Sequence, residues 1–453
     1  QSFIMLKIKI PSVFLLLNIL LISACSDDSG PGYQEPYNPD PTDDDVAEVP
    51  SITDEELLDK VQEQTFTYFW DFAEPNSGMA RERSQDEAYG GDSPNIVTTG
   101  GTGFGLASFP VAVERGWISK TEAQDRIVKI LDFLETVPTY HGAFSHWYMG
   151  NTAQTRTFGE FDDGGDLVET AFLIQGLLVC REYFDNDEID ARITSLWEAV
   201  EWDWYTKEEN TLYWHWSPNF AFQKDLQING WNESLIVYVL AASSPTHSID
   251  KEVYTNGWAS NGNMVNNREH YSIGLPLGPS YGGPLFFSHY SFMGLDPRNL
   301  EDQYANYWEQ NTAHTLINYE YAVTNPKDFE GYGQNSWGLT ASDSKDGYAA
   351  HSPTNDLGVI TPTAALSSFP YTPEKSMAAL RYFYEELGDD LWGNMGFYDA
   401  FSEEYDWYAD GYLAIDQGPI IAMIENHRTQ LLWDLFMSNP EISAGLDKLG
   451  FSY

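Results

Sequence analysis

The chain has 453 residues, with 23 Lys and Arg against 69 Asp and Glu, for a formal charge of −46. So acidic a balance argues against a nucleic-acid binder, because neutralising phosphates needs clustered Lys and Arg, and against an anionic substrate or membrane surface as the main partner. At 42% hydrophobic residues a large core is within reach, and 15 Trp with 28 Tyr form a surplus suited to carbohydrate, whose apolar C–H faces lie flat on aromatic planes.

Lys7 and Lys9, the apolar stretch Val13 to Ile22 and the small residues before Cys25 form a secretory signal. Its ending resembles a bacterial lipobox, so residues 1–25 are expected to be a lipoprotein signal with Cys25 as the lipidated residue. Ser26-Asp27-Asp28 resembles an acidic surface-export signal, which predicts lipid anchoring to the outer membrane, on the cell surface or the periplasmic side. Residues 26–50, rich in Pro, Gly, Asp and Glu, read as a flexible tether, and residues 51–453 as one domain. The other cysteine, Cys180, lies in an apolar run and reads as core.

From residue 53 two kinds of helical segment alternate. Amphipathic segments are predicted at 53–73, 119–136, 187–203, 248–256, 299–324 and 372–387, the first opening on a Thr53 capping box. Nearly uncharged segments are predicted at 101–113, 166–180, 232–242, 284–293, 360–368 and 416–437. A helix apolar all round must be buried on most sides. Six inner helices wrapped by six outer ones give an all-α (α/α)6 toroid, with a short strand expected near 211–216. The long connections, at 74–100, 137–164, 204–230, 257–283, 325–359 and 388–415, all lead into inner helices and should gather on one face.

Acids recur at those entrances. Asp162, Asp166 and Glu169 follow i, i+4, i+7 spacing around Gly164-Gly165, where crowding should push carboxyl pKa values apart. Asp166 with Glu169 also fits a helix capping box. Glu233 stands beside Trp231 and after Trp214-His215-Trp216, an acid-plus-aromatic pairing suited to glycoside hydrolysis, and Asp416 opens the last inner segment. Asp162–Asp166 has the DDxxD spacing of Mg²⁺-dependent diphosphate enzymes, but the inner segments lack the basic residues a diphosphate needs. No metal ligand set and no G-x-S-x-G elbow appears, so no metal or cofactor is expected.

Thr65–Trp70, Gly100–Ala107, Arg156–Glu169, Trp214–Asn219, Gly230–Ser234, Gly282–Leu295, Tyr332–Leu339 and Asp416–Arg428 together resemble the bacterial glycoamylase-type domain of glycoside hydrolase family 144. The resemblance spans roughly residues 55–450. It implies an (α/α)6 fold and an inverting β-1,2-glucanase acting internally or releasing sophorose from a chain end. Its acidic positions match Asp162, Asp166, Glu169 and Glu233; Asp416 rests on the inner-helix argument. Trp214, Trp216, Trp231 and Trp337 are expected as aromatic walls, with His215 and Asn335 as polar contacts. A glucan substrate and a monomer are expected. A non-catalytic glycan-binding lipoprotein, an α-glucan hydrolase and a polysaccharide lyase are the competing readings.

Overall fold

The computed structural model describes residues 52–453. The signal segment, Cys25 and the tether lie outside the described residues. Fourteen helices dominate the domain: α1 (Asp54–Trp70), α2 (Thr99–Glu114), α3 (Lys120–Leu134), α4 (Leu167–Phe184), α5 (Asp187–Glu198), α6 (Leu235–Ser243), α7 (Lys251–Asn256), α8 (Tyr307–Thr324), α9 (Pro362–Leu366), α10 (Pro373–Arg381), α11 (Gly388–Leu391), α12 (Ala414–Arg428), α13 (Leu431–Met437) and α14 (Pro440–Leu449). The strands are short and form small antiparallel sheets in the connections. Among the described residues no helix is long and apolar enough to cross a membrane.

The expected alternation holds, and the fold is an all-α toroid. α2, α4, α6 and α12 are buried along nearly their whole length, whereas α1, α3 and α5 bury one stripe. Thr53 and Ser119 each close a capping box, with Glu56 and Glu122 as reciprocal partners, which fixes where α1 and α3 begin.

Glycine sets the spacing of the inner ring. A Cβ on Gly103 would stand 2.1 Å from the carbonyl oxygen of Phe172, and one on Gly176 would stand 1.9 Å from that of Gly103. α2 and α4 therefore touch backbone to backbone, as expected of the glycine-rich start of α2.

Several boundaries differ from expectation; the outer segment 299–324, for one, is helical only from Tyr307. Residues 284–293 form two 3₁₀ turns, Leu285–Ser288 and Ser291–Met293, in place of an inner helix. Polar groups of this segment serve its neighbours: the Tyr290 carbonyl accepts from the Gln175 amide, and Ser291 Oγ accepts from the Ile236 N–H. The predicted 416–437 helix breaks at Gln430, whose φ of 68° ends one helix before α13 starts. α14 was not anticipated, although Asn439-Pro440 opens it with Pro in the first turn.

Five of the six connections, 74–100, 137–164, 204–230, 325–359 and 388–415, contribute to one mouth. Ile96–Thr98, Trp147–Met149 and Gln154–Arg156 join the first two in a three-stranded sheet, and Gly165–Asp166 pairs with His215–Trp216 to tie in the third. The fourth, 257–283, instead closes on itself as a hairpin of Val265–His270 with Ile273–Leu277. Gly103→Ala should cost about 1–3 kcal/mol of stability, because the added methyl meets backbone that cannot rotate away. A lowered midpoint in thermal or urea denaturation checks this, and an unchanged one would mean that α2 and α4 can part.

Candidate active site

Asp166 is the N-cap of α4, its Oδ1 accepting the N–H groups of Val168 and Glu169 at 3.0 Å each. Its backbone N–H donates to Phe144, and that of Leu167 donates to Trp214, so the helix entrance is stitched to two connections. The glycines before it permit the approach: a Cβ on Gly165 would stand 2.1 Å from the Tyr205 hydroxyl oxygen.

The free oxygen of Asp166 enters a ring of charges. Asp166 Oδ2 lies 3.1 Å from His146 Nδ1 and 3.3 Å from His215 Nε2. Asp162 Oδ2 lies 3.4 Å and 3.0 Å from the same two nitrogens. Burial works against the imidazolium of His146, yet Glu169, Asp162 and Asp166 outweigh it and hold its pKa well above the usual value. His215 is raised in the same way, with Asp166 the largest opposing influence to burial. Burial also works against the aspartates, but the histidines pull Asp162 down and Asp166 far down. Two anions and two cations thus alternate around the ring. His146 Nδ1 with one oxygen each of Asp162 and Asp166 could alternatively hold a divalent cation, their ligand atoms lying within 4.8 Å of one another.

Glu169 and Glu233 behave differently. Burial pushes Glu169 up to about 7, against the pull of His146 and of the Gly100 N–H that its Oε2 accepts at 2.7 Å. That bond replaces the expected capping box, because Glu169 reaches across to α2. Burial also pushes Glu233 up to about 7, with Asp166 and Glu169 adding to it and only its own backbone N–H opposing. Glu233 precedes α6 instead of lying inside it, in a turn closed by Ser234 N–H donating to Asn232 Oδ1. Both glutamates line one cavity of about 540 Å³, with His146, Trp214, Tyr290 and Arg83 among the other walls.

The structure brings together Asp162, Asp166, Glu169, Glu233, His215 and Trp214, and the i, i+4, i+7 reading of the acids is corrected, since Asp162 stands in the connection before α4 and joins through the histidines. Asp416 is set behind the cavity wall: its Oδ1 lies 3.5 Å from the Tyr290 hydroxyl, which donates to it. Burial first, and then Asp399, hold the Asp416 carboxyl well above the usual range.

Three aromatic walls and one polar contact are corrected too. Trp231 is buried against Trp258 and Phe292 in the core. Trp337 is buried edge-on to Tyr319, its indole N–H donating to the Lys375 carbonyl. Trp216 packs on Trp204 and His141, one step back from the cavity. Asn335 borders a separate groove with Arg381 and Glu385. His215 contacts the aspartates.

Sequence reasoning missed His146, Arg83, Tyr290 and Asp399. His146 carried a signal, standing between Ser145 and Trp147 in a long connection, but lone histidines default to structural roles. Phe158 stacks on its ring at 4.0 Å and 4°, and is itself half exposed at the mouth.

Residues 225–440 match the family model Glycoamylase, described as "Putative glucoamylase". An endo-β-1,2-glucanase from Chitinophaga pinensis is 52% identical over 89% of this chain and 99% of its own, with a TM-score of 0.87. The chain belongs to the glycoamylase-type glycoside hydrolases of family 144. A β-1,2-glucanase from Parabacteroides distasonis is 44% identical over 88% of this chain and 60% of its own, with a TM-score of 0.84. An exo β-1,2-glucooligosaccharide sophorohydrolase (non-reducing end) from the same organism is 44% identical over 88% of this chain. The chain spans 58% of the length of that curated relative.

The charge ring sets a pH signature for this glycoside hydrolase family member. Raised histidine pKa values stabilise the fold fully below about 6.5, a contribution lost as pH rises through the folded values. Depressed aspartate values stabilise it above about 3.9, a contribution lost as pH falls through the folded values. The melting-temperature difference between wild type and Asp166→Asn, which keeps the cap but removes the charge, should therefore peak between about pH 4 and 6.5 and narrow on either side. A difference independent of pH would sink the ion-pair account.

Proposed function

We propose that the protein hydrolyses β-1,2-glucan, with inversion at the cleaved sugar, by means of Glu233 and Glu169. The observation that carries this is the pair of glutamates facing one cavity, both pushed up to about 7 beside an ionised aspartate pair, in a chain 52% identical to an endo-β-1,2-glucanase. Among the described residues Glu233 has no cationic partner, so it is the group that keeps its proton and gives it to the leaving oxygen. Glu169 has His146 and the Gly100 N–H favouring its ionised form, so it is the group that draws a proton from the attacking water. The histidine-bound aspartates hold this division in place. Overlap with 99% of the Chitinophaga enzyme supports internal cleavage over release of sophorose from a chain end.

A panel of glucans tests the substrate. Turnover of β-1,2-glucan with a spread of product lengths is expected. Sophorose as the sole product would assign the chain-end mode, turnover of starch alone would make it an α-glucan hydrolase, and binding without turnover would make it a glycan-binding protein. Glu233→Gln should lower kcat by about 10²–10⁴-fold with little change in melting temperature, because the amide cannot exchange the proton. Near-normal activity would place the acid elsewhere.

The sequence signal ending at Cys25 supports anchoring by lipid at the outer membrane, and Cys25→Ser should release the protein to the soluble fraction in cells. Retention in the membrane fraction would contradict that.

A further inference from the structure

Among the described residues seven large apolar side chains are exposed, and three of them, Tyr348, Leu357 and Tyr405, are associated with the 341–350 hairpin and the small cleft at its tip. That cleft, of about 180 Å³, is lined by Tyr405, Trp407 and Leu357, with Ser402 at its wall. Ser402 is 1% exposed, and its Oγ has no hydrogen-bond partner in the protein. A buried hydroxyl left unpaired costs stability unless something else supplies the bond. The cleft thus offers the Trp407 ring, the Tyr405 ring with Lys345 Nζ 5.0 Å over one of its faces, and one unpaired hydroxyl, with Asp346 paired to Lys345 at the rim. These are the contacts a pyranose ring uses, C–H faces on aromatic planes and hydroxyls on polar groups.

One element contributes residues to both the cleft and the catalytic cavity. Ala341–Ser342 pairs with Ala349–Ala350, and the turn between them is closed by Ser344 and Gly347 bonding each other's backbone. Ala341, in the first strand, and Tyr348, directly after the turn, line the catalytic cavity, whereas Ser344, Lys345 and Asp346, at the tip, line the cleft. Asp343 pins the hairpin to the cavity: its carboxylate accepts from Arg83 at 3.2 Å, and its N–H donates to Asp399 at 2.7 Å.

We propose that this cleft is a distal sugar-binding site, taking glucose units of a β-linked glucan chain that leaves the catalytic cavity past Tyr348. The proposal rests on the glucan reading above and adds to it a preference for long chains. Short oligosaccharides confined to the cavity never reach Tyr405. A chain long enough to cross the hairpin gains the second contact.

Tyr405→Ala and Ser402→Ala test this, Tyr405 being exposed and Ser402 losing only an unpaired hydroxyl. For Tyr405→Ala, the KM for β-1,2-glucan polymer should rise about two- to tenfold, the range set by one lost aromatic contact, while kcat/KM for β-1,2-linked glucotriose stays unchanged. Retardation in native gels containing the polymer should weaken in parallel, and Ser402→Ala should shift both readouts in the same direction. Equal losses on polymer and trisaccharide, or no change on either, would overturn the distal site while leaving the hydrolase reading intact. A wild type that does not cleave the polymer but is retarded by it through Tyr405 would overturn hydrolysis and support the site. A wild type that neither cleaves nor is retarded overturns both.

Discussion

The arrangement depends on four charges that neutralise one another in a buried place. Asp162 and Asp166 could not both stay ionised side by side without a counter-charge, and His146 and His215 could not both stay protonated without the aspartates. Burial alone would drive all four groups neutral. The alternation of sign around the ring reverses that outcome. Glu233, buried near Asp166 and Glu169 and without an ion-pair partner among the described residues, is pushed up to about 7 and holds its proton well above the usual carboxylate range.

The fold supplies this ring by bringing connections to helix entrances. Asp166 serves the backbone with one oxygen and the ring with the other, so helix capping and site chemistry are functions of a single carboxylate. His215 arrives by pairing its strand with Gly165–Asp166, and His146 precedes the strand Trp147–Met149 in the three-stranded sheet. The close approach of α2 to α4 at Gly103 and Gly176 places the Gly100 N–H within reach of Glu169. A wider spacing of these two helices would leave Glu169 without the donor that favours its ionised form.

Much of this was legible in the sequence because it is local. The alternation of charged and uncharged segments, the Thr53 capping box and the Gly-Gly between crowded acids are short-range patterns, and apart from 284–293 each appears where expected. The residues that escaped notice come together only in three dimensions. His146 and Asp399 stand alone in long connections, with no neighbour in sequence that hints at Asp166 or Asp416. The tryptophans misled for a related reason. Proximity to Glu233 along the chain suggested a sugar platform for Trp231, but the ring turns inward to Trp258 and Phe292, where its area is buried. Residues 284–293 look helical by apolarity, yet they form two 3₁₀ turns, and the Tyr290 carbonyl and Ser291 hydroxyl there accept from α4 and α6.

Nitrogen-15 NMR of the histidine rings tests the charge ring most directly. At pH 7 the account predicts a larger imidazolium fraction at His146 and at His215 than in free histidine, which at that pH is mostly neutral. Neutral rings at either position at pH 7 would contradict it, because the aspartates would then lack the counter-charge on which the division between ionised and protonated acids rests.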